Sequence, residues 1–118
     1  MMNGNYLLDP DVQLMLKLKQ GDTLAFGELL EKYQKPVINI IYRFIQDRSE
    51  ADDLAQEVFI KVYHHAKSYH PRAKFFTWLY RITKNVCLNE LRRRKRNIVS
   101  LDEAVSADDE RVTLPHRQ

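Results

Sequence analysis

The chain has 118 residues, of which 44% are hydrophobic and 30% are charged. This length and composition allow one domain with a hydrophobic core and exclude two domains of ordinary size. The net charge is +3, but residues 71–97 carry 9 basic residues against 1 acidic residue, a concentration that indicates phosphate binding.

The composition narrows the class of protein further. Only 3 glycines and 4 prolines occur, and strong helix formers predominate, so we expect an all-α fold. The single cysteine, Cys87, excludes an internal disulfide and a metal site built from cysteines alone. With no signal-peptide pattern and no apolar run of about 20 residues, we expect a cytoplasmic chain without membrane insertion.

The first two helices are predicted from their caps and from the spacing of apolar residues. Asp9 followed by Pro10 indicates an N-cap and a first helical position, and Gly21 ends this first helix. Asp22 can cap the second helix, in which apolar residues recur at helical spacing. Pro36 interrupts that pattern, so we expect it to kink or split the second helix.

The third helix is predicted to begin at a capping box formed by Ser49 and Asp52 and to end near Lys67 or Ser68. Its expected buried residues are Ala51, Leu54, Ala55, Val58, Val62 and Ala66. The following segment, "SYHPRAK", contains Pro71 and separates this helix from the last one.

The last helix is predicted to run from about Phe75 to about Arg96. Its expected buried residues are Phe75, Leu79, Ile82 and Val86, with Cys87 near the core. Residues 98–118 are acidic and lack periodicity, so we expect a flexible tail with at most one helical turn near Leu101. The sequence thus predicts a compact bundle of about four helices in residues 1–97 and a linker in residues 98–118.

One face of the last helix combines cations with carboxamides. Residues spaced at helical intervals along it are Arg81, Asn85, Asn89, Arg92 and Arg96. Arginine can bind phosphate, and asparagine offers a donor and an acceptor to a base edge, so the face suits a nucleic acid. The alternative is a solvated face whose cations favour the C-terminal end of the helix dipole.

Aromatic residues precede this face in the chain. We expect Phe75 and Trp78 to lie in the core, which leaves Tyr69, Phe76 and Tyr80 as candidates for stacking on unpaired bases.

The third helix carries acidic and polar residues around one isoleucine. Asp53, Gln56, Glu57, Ile60 and His64 share a face of this helix. An isoleucine among acids is typical of a protein-docking surface. Spacing alone nevertheless favours an ordinary surface with acids near the helix N-terminus.

The sequence offers no pattern for catalysis, for a cofactor or for a metal. His64, His65 and His70 lack the spacing of a metal-binding pair on one helix face. Phosphate-loop, nucleophile-elbow and dinucleotide-binding patterns are absent from the sequence, so we expect a protein that is not an enzyme.

The chain resembles region 2 of the extracytoplasmic-function sigma factors, which are promoter-specificity subunits of bacterial RNA polymerase. The resemblance runs from about Gln13 to Arg96. Its most specific segments are "ADDLAQEVF", "FFTWLYRI" and "NELRRRKR", in family order and spacing, and "GDTLAFGELLEKY" fits the first conserved stretch of the family.

The resemblance implies that the third helix docks on the clamp helices of the largest polymerase subunit. The residues assigned to this contact are Asp53, Gln56, Glu57 and Ile60. It also implies an anti-sigma factor as a further partner and a cytoplasmic, nucleoid-associated location in a bacterium.

The resemblance further implies that the segment "SYHPRAK" and the last helix recognise the non-template strand of the promoter minus-ten element and help to melt it. The residues assigned to DNA are Lys74, Arg81, Asn85, Asn89, Arg92, Arg93 and Arg96. Members of the family continue into a second domain that binds the minus-thirty-five element, and this chain departs from them there, which suggests a fragment. The alternative function is a small helical adaptor that binds nucleic acid without sequence preference.

Overall fold

The computed structural model describes residues 5–108, and this part of the chain contains helices and no strand. The four α-helices are α1 (Pro10–Lys19), α2 (Thr23–Ile45), α3 (Arg48–His65) and α4 (Phe75–Asp108), and two short 3-10 helices cover Asn5–Leu8 and Ala66–Ser68. The chain divides into two compact units, the first ending at Cys87 and the second beginning at Leu88. The predicted all-α fold is confirmed. No helix in residues 5–108 is both long enough and apolar enough to cross a membrane.

The predicted starts of the first two helices are confirmed by hydrogen bonds to the capping carboxylates. Asp9 Oδ1 accepts from the Asp11 N–H at 2.9 Å, with Pro10 at the first helical position. Asp22 Oδ1 accepts from the Leu24 N–H at 3.1 Å. Each bond satisfies a backbone donor that has no partner within its own helix.

The predicted start of α3 is wrong by two residues. Asp47, not Ser49, has the extended backbone of an N-cap, and its Oδ1 accepts from the Glu50 N–H at 3.1 Å. Gln46 ends α2 in the left-handed conformation, with φ of 61°. The link between α2 and α3 is therefore only two residues long, and Ser49 already lies inside α3.

The predicted split of the second helix is also wrong, because α2 is assigned as helix without a break through Pro36. Proline removes one backbone hydrogen bond from the helix interior. Pro36 is exposed, whereas Leu29, Val37 and Ile41 of the same helix are fully buried. Burial of these side chains before and after Pro36, where α2 packs against α1 and α3, offsets the local cost.

The core of the first unit follows the predicted apolar faces closely. All six residues expected on the buried face of the third helix are buried, although Ala66 belongs to the 3-10 helix that follows α3. Phe75, Leu79, Val86 and Cys87 of α4 are also buried, whereas Ile82 is partly exposed. Thr83 is fully buried and was not predicted; its hydroxyl donates to the Leu79 carbonyl at 2.9 Å, which satisfies it within the helix. Burial raises the pKa of the Cys87 thiol to about 11.

In the second unit, α4 continues beyond the predicted end at Arg96 as far as Asp108. The segment contains no glycine or proline between Arg96 and Asp108 that would stop a helix, although its side chains up to residue 104 are exposed. The single turn expected near Leu101 is thus part of a continuous helix. Residues 109–118 of the predicted tail lie outside the described part, and the domain boundary near residue 97 stays a prediction.

Candidate nucleic-acid interface

The segment between α3 and α4 lines a surface depression of about 510 Å³ in the first unit. This loop depression is formed by the following residues: His65, Ser68, Tyr69, His70, Arg72, Ala73, Trp78, Arg81 and Ile82. It combines two exposed arginines, Arg72 and Arg81, with the partly exposed ring of Trp78. Proteins that bind unpaired nucleotides combine basic side chains with aromatic surfaces in this way.

Tyr69 was predicted as a stacking residue, and its burial corrects that expectation. Its side chain is only 3% exposed, and its ring meets the Trp78 ring edge-on at 4.9 Å between centroids. Its hydroxyl has no hydrogen-bond partner within the described chain. Burial and, secondarily, the Asp9 carboxylate raise the pKa of Tyr69 to about 12, so its phenol is neutral at physiological pH.

Trp78 was expected in the core but lines the loop depression. An α-helix turns by about 100° per residue, so Trp78 and Asn85 lie within about 20° of each other around α4. Arg81 follows one turn after Trp78 and also lines the depression. The spacing of these three residues at i, i+3 and i+7 was the sequence signal that could have identified Trp78 as a surface aromatic.

Phe76 and Tyr80 are exposed, as predicted, but they lie on a different side of α4. Phe76 is 43% exposed and Tyr80 is 38% exposed, with 6.3 Å between their ring centroids. The Phe76 ring also stacks on Tyr33 at 6.2 Å. Counted at about 100° per residue, Phe76 is half a turn away from Asn85. These two aromatics therefore do not share a face with Arg81 and Asn85.

The remaining predicted DNA contacts of the first unit are all exposed. Lys74 immediately precedes α4, and Arg81 and Asn85 lie on the side of α4 that turns away from Phe75 and Leu79. The structure brings Arg81 into the loop depression, and it leaves Asn85 on the same side of the helix.

In the second unit, some of the residues predicted to contact DNA already form hydrogen bonds with other side chains of α4. Asn89 Oδ1 accepts from Arg92 at 2.8 Å. Glu90 accepts from Arg93 at 2.6 and 3.1 Å and from Arg94 Nε at 3.0 Å. Lys95 and Arg96 are exposed. The five consecutive cations are thus not equivalent, because Glu90 opposes the charge of two of them.

The predicted docking residues of α3 lie together on an exposed surface. Asp53, Gln56, Glu57 and Ile60 are all exposed, and Ile60 is 55% exposed. Gln56 and Ile60 also border an apolar groove between α2 and α3, to which Phe26 and Tyr63 contribute rings 5.3 Å apart. An exposed apolar groove beside acidic residues is a feature of protein-binding surfaces.

Histidine, cysteine and acidic side chains form no group suited to hold a metal ion within residues 5–108.

Comparison with known proteins identifies relatives of this chain. The family model described as Sigma-70 region 2 matches residues 29–97. The RNA polymerase sigma-H factor of Pseudomonas aeruginosa is 41% identical over 101 residues, which is 86% of this chain and 51% of that protein. The ECF RNA polymerase sigma factor SigW of Bacillus subtilis is 35% identical, over 71% of this chain and 48% of its own length. The chain spans about half the length of the curated relatives it matches.

A solved structure also resembles this fold. It is an NMR structure of an engineered region 2 of sigmaE in complex with GTAAAA, and it aligns with a TM-score of 0.67 and 36% sequence identity. The alignment covers 74% of this chain and 90% of the solved chain.

Proposed function

The chain belongs to the Sigma-70 region 2 family, as a region 2 domain of an extracytoplasmic-function sigma factor, and we propose that it recognises the promoter minus-ten element for bacterial RNA polymerase. The observation that carries this proposal is the loop depression, where Arg72, Arg81 and Trp78 meet in a fold similar to a sigmaE region 2 in complex with GTAAAA.

The loop depression would take one unpaired base of the non-template strand. Trp78 presents an aromatic surface on which a base can stack, an interaction that contributes about 1–3 kcal/mol per base. Arg72 and Arg81 would bind the flanking phosphates. Tyr69 would support the Trp78 ring through their edge-on contact and would not touch the base itself, because its side chain and its hydroxyl are buried.

Asn85 would read a second base, since its exposed carboxamide offers both a donor and an acceptor. In the second unit, Arg92, Arg93 and Arg96 would bind backbone phosphates, and Asn89 would use its amide N–H groups because its oxygen accepts from Arg92. Extruding a base costs a few kcal/mol, which these contacts would supply by binding. The role requires no hydrolysis and no cofactor, and we propose a protein that is not an enzyme.

The exposed surface formed by Asp53, Gln56, Glu57 and Ile60 would dock on the clamp helices of the largest polymerase subunit. The acids would attract a basic partner, and Ile60 would supply apolar contact at the centre. An anti-sigma factor is a further proposed partner. These partners imply a cytoplasmic, nucleoid-associated protein.

The proposal is tested by binding the purified chain to a clamp-helix fragment and then to single-stranded hexamers. The probes are GTAAAA and a scrambled hexamer of the same composition, measured with and without the fragment. Trp78 is the only tryptophan, so its fluorescence reports on the loop depression directly. We expect clamp binding, a preference between the hexamers and a change in Trp78 emission. Uniform, salt-sensitive DNA binding without clamp binding would instead identify a helical adaptor.

A further inference from the structure

Both ends of the loop that lines the depression are held by side chains at the two ends of α1. This connecting loop, Tyr69–Lys74, begins where Lys19 Nζ donates to the Tyr69 carbonyl at 2.7 Å. It ends where Asp9 Oδ2 accepts from the Phe75 N–H at 2.9 Å. Lys19 is the last residue of α1 and Asp9 is its N-cap, so the helix lies between the two attachment points.

Asp9 caps two helices with one carboxylate. Its Oδ1 accepts from Asp11 at the start of α1, and its Oδ2 accepts from Phe75 at the start of α4. An asparagine at this position could keep only one of the two bonds, because it has a single side-chain oxygen. The Asp9 charge also contributes, after burial, to the raised pKa of Tyr69, which is the first residue of the loop.

This arrangement keeps the span of the connecting loop constant. α1 has ten residues and is therefore about 15 Å long, and a helix of this length changes little in length compared with a free loop. Pro71 further restricts the backbone of the loop. A loop with tethered ends loses less conformational entropy when a ligand binds to it, which increases affinity without any new contact.

We propose that Asp9 and Lys19 are positioning residues for base capture, holding the connecting loop in the conformation that opens the depression onto Trp78. The inference rests on the proposed function. Neither side chain contacts DNA in this proposal. The Asp9 carboxylate would repel phosphate, and the Lys19 ammonium is already bound to the Tyr69 carbonyl.

Two pairs of variants in the full chain isolate this role. Lys19→Met removes the bond to Tyr69, and Lys17→Met removes the same charge from an exposed position of the same helix. Asp9→Asn removes one of the two caps, and Asp22→Asn removes the same charge from a residue that caps α2 alone. Lys19→Arg serves as the conservative variant, since a guanidinium can still donate to the carbonyl.

The first measurement uses the protein without DNA. We expect amide hydrogen exchange of residues 70–75 to become faster in Lys19→Met and Asp9→Asn than in their controls, with wild-type rates restored in Lys19→Arg. Lys19→Met removes no helix cap, so this variant tests the proposal even where Asp9→Asn lowers the melting temperature. Unchanged exchange in Lys19→Met would overturn the inference, whatever the DNA results are.

The second measurement compares the affinities for GTAAAA and the scrambled hexamer. We expect Lys19→Met and Asp9→Asn to weaken binding of the hexamer that the wild type prefers about three- to ten-fold. The affinity for the other hexamer should be nearly unchanged. Equal losses in Lys19→Met and Lys17→Met would show a charge effect and overturn the inference. A wild-type chain without any preference would refute the proposed function, and the exchange measurement would still decide whether α1 holds the loop.

Discussion

Glu90 accepts a hydrogen bond from Arg93 at 2.6 Å, and its carboxylate also binds Arg94. Glu90 is the only acidic residue in residues 71–97, and its side chain is only 11% exposed. Glu90 therefore partly neutralises the run of five consecutive cations. The phosphate affinity of α4 depends on this carboxylate as well as on the number of arginines.

Glu90→Gln should strengthen binding to single-stranded DNA of any sequence. The substitution weakens the hold on Arg93 and removes one negative charge, so the affinity should rise at low salt and the salt dependence should steepen by up to about one unit. The matched control is Glu103→Gln, which changes the same charge at an exposed position of α4. Equal effects of the two variants would show that only net charge matters.

Asn85→Ala should reduce sequence preference, whereas Arg96→Ala should reduce affinity for all sequences. A base contact carries about 1–3 kcal/mol of discrimination, and a phosphate contact carries none. Titration of both variants with GTAAAA and its scrambled counterpart, over a range of salt concentrations, separates the two effects. Asn85 would have no role in reading bases if its variant lost the same affinity for both hexamers.

Asp53→Arg should abolish binding to the polymerase clamp-helix fragment and leave the fold intact. The residue is exposed on α3, so the substitution reverses charge on the proposed docking surface without entering the core. Glu28→Arg makes the same charge change on an exposed position of α2 and should bind normally. Circular dichroism checks folding, and unchanged docking of Asp53→Arg would remove α3 from the interface.

Tyr69→Phe should change the stability at alkaline pH. Folding raises the pKa of Tyr69 from 10.0 to about 12, so the associated stability is fully present below pH 10 and is lost between pH 10 and pH 12. Tyr69→Phe should not show this loss of stability between pH 10 and pH 12, whereas a Tyr42→Phe control should show it as the wild type does. Identical pH profiles for wild type and variant would contradict the buried phenol.

Pro36→Ala should stabilise the first unit. Proline in a helix interior costs about 3 kcal/mol relative to alanine, and the gain in unfolded-state entropy on its removal offsets up to about 1 kcal/mol. A net gain of about 2–3 kcal/mol should raise the melting temperature by about 10 °C or more. Pro10→Ala is the control, because proline is well tolerated at the first helical position. A lower melting temperature for Pro36→Ala would show that the ring is required for packing.

Local features of this chain were predictable because their causes are local. The caps Asp9 and Asp22 lie next to the helices they begin, and the buried face of α3 follows from the helical repeat of apolar residues. The exposed positions of Asp53, Asn85 and their neighbours follow from the same repeat. A family resemblance in three short segments agreed with these patterns, and the Sigma-70 region 2 match confirms it.

Errors arose where two local signals competed. The sequence predicted Ser49 as the cap of α3, but the short link after Gln46 places Asp47 at that position. Pro36 predicted a break, but buried residues on both sides of it keep α2 continuous. The short link before α3 and the burial of α2 around Pro36 both depend on how neighbouring helices pack.

The sequence by itself determined the helices, their inward faces and the concentration of positive charge, because helical period and capping act over a few residues. Only the tertiary structure decided that Tyr69 of the connecting loop is buried while Trp78 of α4 stays partly exposed at the depression. Lys19 and Asp9 bind the two ends of this segment, at backbone groups that lie 50 and 66 residues away in sequence. Contacts at such separations arise from chain packing, and no local pattern records them.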